Sequence, residues 1–136
     1  MELNYMRILM ATALQFVCGA VWYSLLFGKL WGKIHGFDKL SKEVQEKMMK
    51  EMGPYYGAQL LVTVMTTVVL AILLEYLPRN WNAFQMASLI WAGFVVPTQA
   101  SAVIFGGTET KWMLKKIAVQ AGASLLCLLV AAAVLV

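Results

Sequence analysis

The sequence predicts an all-α membrane protein, a four-transmembrane-helix bundle with a short cytoplasmic amphipathic helix between the first and second spans. Composition is the first of three observations behind this. Of 136 residues, 61% are hydrophobic and only 13% are charged. An ordinary soluble domain carries about half apolar and about a quarter charged residues. The second observation is where charge is missing: Ile8–Gly28, Tyr55–Leu74, Asn80–Thr108 and Ile117–Val136 contain no Asp, Glu, Lys or Arg. Each reaches the roughly 20 residues a helix needs to cross about 30 Å of hydrocarbon. The third is the absence of strict alternation of polar with apolar residues, which membrane strands show over segments of about 10 residues. Backbone groups in lipid must be satisfied internally, so spans of this length are helices.

The chain is expected to form one transmembrane domain over 1–136, with spans at about 5–28, 55–77, 81–105 and 112–135. Four such helices buried in a soluble core would leave almost no polar surface in so short a chain. The first apolar run is too long for a signal peptide, and no small-residue cleavage site follows Phe27.

Between the first two spans, Ser41 is placed to cap a helix, with Glu43 in its first turn. Leu40, Val44, Met48 and Met52 recur every four residues and form one apolar stripe. Glu43–Lys47 and Glu46–Lys50 are favourable pairs at the same spacing. Gly53-Pro54 stops the run, so about 42–52 reads as an amphipathic helix at the lipid surface. The loop at Pro78–Asn80 is short and sets the second and third spans antiparallel. The first span ends Leu26-Phe27-Gly28 and the third Ile104-Phe105-Gly106, an echo that a parallel duplication would produce.

Nine basic residues, Lys29, Lys33, Lys39, Lys42, Lys47, Lys50, Lys111, Lys115 and Lys116, fall on one side, and only Arg7 and Arg79 on the other. The positive-inside rule makes loops 29–54 and 106–111 cytoplasmic and puts both termini outside. Trp31, Tyr55, Tyr56 and Trp112 then fall at the inner interface, and Tyr5, Tyr76 and Trp81 at the outer one. Amphipathic rings favour both zones. The net charge of +4 sits in loops, which points to anionic lipid headgroups on the cytoplasmic side as partner rather than nucleic acid.

Little in the chain suggests catalysis. The only histidine is His35, and all seven acidic residues lie at or beyond span edges. No catalytic set, metal ligand cluster, cofactor motif or phosphate-binding loop is evident. Cys18 and Cys127 both fall inside spans, where cysteine is usually a small apolar packer. A charged group at mid-membrane would suggest a transport site. None is present, which argues against a proton-coupled carrier.

Polar candidates remain. Gln15 lies deep in the first span. In the third, Pro97 lacks an N–H and deprives the Gly93 carbonyl of its helical partner. Thr98, Gln99 and Ser101 follow at once. Such a kink lines a polar cavity or is simply satisfied by neighbouring helices. Gln59, Thr63, Thr66, Thr67, Gln120 and Ser124 are further polar residues, suited to interhelical hydrogen bonds or, if convergent, to an uncharged pore. In the fourth span Ala118-x-x-x-Gly122, then Ala123, Cys127 and Ala131, mark a close-packing face.

The segment Gly19-Ala20-Val21-Trp22-Tyr23-Ser24-Leu25-Leu26-Phe27-Gly28-Lys29-Leu30-Trp31, with Trp91-Ala92-Gly93-Phe94, resembles domain-of-unknown-function family 1761, small bacterial four-span membrane proteins. The resemblance covers essentially the whole chain. It implies the fold and a bacterial or archaeal cell (inner) membrane, and brings no activity or assigned residues. Read physically, Trp22, Tyr23, Phe27 and Trp31 anchor the helix end at the headgroups, with Gly28 stopping it. The functional version is an aromatic-walled pocket for an amphiphile, with Lys29 on its anionic end.

The expected function is a non-enzymatic, homo-oligomeric channel or transporter-like protein for a small solute. The alternative is a lipid-binding or structural membrane module that associates with a partner complex. The binding candidates are Trp22, Tyr23, Lys29, Trp31, Gln15, Gly93, Pro97, Thr98 and Gln99.

Overall fold

The computed structural model describes residues 2–136. Four helices are long and apolar enough to cross a membrane: Tyr5–Leu26, Gly53–Glu75, Ala83–Phe105 and Thr110–Leu135. They are spans 1 to 4, and the chain is an all-helical membrane protein.

Local chemistry sets the helix ends. Span 1 starts where the Asn4 side chain accepts the Arg7 amide at 3.0 Å. Span 3 starts with a capping box: Asn82 accepts the Gln85 amide, and the Gln85 side chain accepts the Asn82 amide. Pro54 occupies the first turn of span 2, where its missing N–H costs nothing. Gly53-Pro54 therefore opens span 2, while the amphipathic helix before it, α3, spans Lys42–Lys50. Ser41 caps α3 through the Val44 amide at 3.4 Å. Leu40 before the cap and Val44 and Met48 on α3 are exposed, and the Gln45 side chain ties the helix to the carbonyls of Phe37 and Leu40.

Helix does not stop at Gly28, although span 1 ends at Leu26. Its α-helix, α1 (Tyr5–Val21), widens into a π-helical turn over Trp22–Leu26, breaks at Phe27 (φ −122°, ψ 14°) and resumes as α2, Gly28–Ile34. Gly28 is thus the first residue of a further helix. Span 3 repeats the device: its α-helix over Ala83–Ile90 widens over Trp91–Val95 and resumes over Val96–Phe105. The internal echo joins Trp22 to Trp91, each heading a π-helical turn, rather than the two Phe-Gly pairs. Pro97 follows only the second turn, so proline is not the common cause.

Span 4 lies between spans 1 and 3, and span 2 lies on the other side of span 1. Spans 2 and 3 are antiparallel neighbours in sequence but touch only slightly. All four meet at the end that carries the termini, around Ala11, Leu70, Ala83, Ala87, Leu128, Ala131 and Ala132. Five of these seven are alanine, because helices in lipid gain by close backbone approach rather than by expelling water. The Arg7 side chain donates to the Leu135 carbonyl at 3.3 Å, joining the two termini there.

Candidate functional site

Polar and aromatic side chains gather in two places, inside the bundle and at its lysine-rich end. Inside, the two π-turn tryptophans both reach span 4. Trp22 donates its indole N–H to the Val119 carbonyl at 3.0 Å, and Trp91 donates to the Ala121 carbonyl at 2.7 Å. A π-helical turn inserts one residue's worth of rotation, which re-aims a side chain without breaking the helix. Here it aims an indole at a neighbouring backbone. Trp22 therefore packs between helices instead of walling a surface pocket, with the Phe27 ring 4.7 Å away.

Gln15 is buried, 4% exposed, and donates to the Ala11 carbonyl and to Thr67 Oγ1 at 2.6 Å. Thr67 in turn donates to the Thr63 carbonyl. Gln99 is half-buried and accepts from Ser124 at 3.4 Å. The two glutamines thus serve separate helix contacts, span 1 to span 2 and span 3 to span 4. Gln59 is exposed. Gly93, Pro97 and Thr98 are exposed on the outer surface of span 3, and Thr98 returns its hydroxyl to the Phe94 carbonyl.

At the lysine-rich end, Tyr23, Trp31 and His35 form a ladder, with ring centroids 4.8 Å and then 4.4 Å apart. His35 Nδ1 lies 2.8 Å from the Trp31 carbonyl, an acceptor, so Nδ1 carries the proton and Nε2 is left free. Lys116 Nζ sits over the Trp31 ring, 5.8 Å from its centroid, and reaches Thr108 Oγ1 at 3.5 Å.

Beside this ladder opens a cleft of about 460 Å³, a volume in the range of small-molecule sites. One wall is the end of α2 and the following turn, with Lys33, His35, Asp38 and Lys39. The other is the Gly106–Glu109 turn and the start of span 4, with Lys111, Trp112 and Lys116. Glu109 is paired with Lys111 at 3.3 Å. Four lysines from segments 72 to 83 residues apart in sequence thus line one space.

Of the expected surface-pocket residues, Trp31 stands next to this cleft, Tyr23 supports Trp31, and Lys29 is exposed and lines no part of it. Lys33, Lys39, Lys111 and Lys116 were not singled out by sequence. The usable signal was topological: the first and third loops fall on the same side, and both are rich in lysine. Among the described residues no three His, Cys, Asp or Glu side chains stand together as a metal site would require.

The model of the family described as "Protein of unknown function (DUF1761)" matches residues 6–136. The match covers essentially the whole chain, and the chain belongs to this family. No curated protein and no solved structure matches it.

Proposed function

Starting from a four-span membrane chain of that family, we propose a non-enzymatic membrane module that binds the anionic headgroup of a membrane amphiphile at its lysine-rich end. The observation that carries this reading is the cleft in which Lys33, Lys39, Lys111 and Lys116 converge. A basic pocket at the cytoplasmic ends of membrane helices is the usual setting for an acidic headgroup. An apolar side chain suits the tail: Phe105, which precedes the lining residue Gly106, is 86% exposed. The nine-to-two distribution of basic residues favours a cytoplasmic position for this end, in the inner membrane of a bacterial or archaeal cell.

A second reading, an oligomeric channel or carrier for a small solute, draws on span 3. Only 6% of its apolar window is buried, and Gly93, Pro97, Thr98 and Ser101 are exposed along it. This reading needs several copies, because the buried polar groups of one chain are already committed to each other. A chain that joins a partner complex would use the same exposed surface.

Native mass spectrometry from lipid nanodiscs separates these readings. The headgroup reading expects a chain that keeps an acidic lipid, and a Lys33→Gln/Lys116→Gln variant that releases it. A closed oligomer without bound lipid would overturn that reading in favour of the channel.

A further inference from the structure

The two walls of the cleft end in corners of the same form. Helix α2 closes on His35 (φ −94°, ψ 0°) and Gly36 (φ 69°, ψ 16°). Span 3 closes on Gly106 (φ −90°, ψ 13°) and Gly107 (φ 77°). A right-handed residue followed by a left-handed one turns successive amide N–H groups to one side, and the resulting concavity binds anions. Both corners finish helices, whose C-terminal ends are partly negative. The surrounding lysines offset that charge.

The corners differ in what their amides already do. The His35 and Gly36 amides are engaged by the carbonyls of Trp31 and Lys33, each at 3.2 Å. The Gly106 amide reaches the Val103 carbonyl at 3.4 Å, while the Gly107 and Thr108 amides have no partner among the described residues. Free donors are therefore concentrated at the second corner, next to Lys116 and the Thr108 hydroxyl. Four lysines against two carboxylates, Asp38 and Glu109, give the lining of the cleft a surplus of two positive charges.

We infer that the Gly106–Thr108 corner, with Lys33 and Lys116, grips a terminal phosphate: the headgroup is a phosphomonoester or diphosphate rather than the diester of ordinary phospholipids. This rests on the headgroup reading above and narrows it. A terminal phosphate carries about 1.5 to 2 negative charges and three strong acceptor oxygens. It matches both the charge surplus and the clustered donors. A diester offers one charge and two free oxygens, and leaves part of each unmet.

The test uses the full chain in phosphatidylcholine nanodiscs doped equally with phosphatidic acid, a monoester, or phosphatidylglycerol, a diester. Retained lipid is weighed by native mass spectrometry. The expected result is a preference of roughly tenfold or more for phosphatidic acid, the worth of about one charge-assisted hydrogen bond. Gly107→Val, a β-branched residue barred from the left-handed region, is expected to bring the two lipids toward parity. Equal retention of both lipids by the unaltered chain overturns the inference and leaves the headgroup reading standing. Retention of neither overturns both. An undiminished preference in Gly107→Val overturns the role of the corner. Displacement of phosphatidic acid by equimolar glycerol 3-phosphate upholds the terminal phosphate but overturns the lipid as its carrier.

Discussion

Gly122 of span 4 faces the Trp22 ring so closely that a Cβ on Gly122 would stand 2.6 Å from Cζ2 and 3.0 Å from Cη2. Both the ring and the span are held, since the Trp22 indole also donates to the Val119 carbonyl. Neither can retreat without losing that bond. Gly122→Ala is therefore expected to destabilise the bundle by about 1–3 kcal/mol, the usual cost of overpacking. Gly19→Ala, whose Cβ meets nothing within 4 Å, should be neutral or slightly stabilising. Unfolding by sodium dodecyl sulfate, followed through tryptophan fluorescence, measures both. Trp22→Phe should rescue Gly122→Ala in part, because the smaller ring vacates the contact. A Gly122→Ala protein as stable as the parent would show that span 4 is not seated as described.

The Trp91 indole makes the corresponding bond to the Ala121 carbonyl at 2.7 Å. That carbonyl also lies within the span 4 helix, so losing the indole does not orphan it. Trp91→Phe should cost about 1 kcal/mol for the hydrogen bond, with a further loss from the missing ring volume. The same unfolding titration reads it. No change in midpoint would mean that the indole is not bonded to span 4.

Gln15 and Thr67 join spans 1 and 2 through a bond of 2.6 Å. Interhelical bonds in membranes are worth about 0.6 kcal/mol on average, because the separated helices find other partners. A double-mutant cycle with Gln15→Leu and Thr67→Val should give a coupling of about 0.5–1 kcal/mol of stabilising sign. Zero coupling would place the two side chains apart.

Solvent access discriminates the proposed readings in another way. In a Cys18→Ala/Cys127→Ala background, Lys33→Cys and Lys111→Cys should react with a membrane-impermeant maleimide from one side, and Asn80→Cys from the other. Gln15→Cys, at a position 4% exposed within its span, should react from neither. Rapid labelling of Gln15→Cys would bring water into the bundle and favour the channel.

Sequence alone determined the number and length of the spans, because the bilayer's thickness and the cost of charge within it act on one segment at a time. It also determined local signals such as the Ser41 cap of α3, whose donor and acceptor lie three residues apart. Which side of each span faces which neighbour was decided only by the tertiary structure. In water a helix advertises its buried face by being polar on the other, but lipid and protein interior are both apolar, so that contrast vanishes. For this reason Trp22 read as an interface anchor although it seats against Gly122, and Thr98 and Ser101 beside Pro97 gave no sign that they are exposed while Gln99 turns to span 4. The cleft was hidden for a different reason. Lys33 and Lys39 stand 72 to 83 residues from Lys111 and Lys116 in sequence, and only the packing of span 1 on span 4 brings the ends of their loops together.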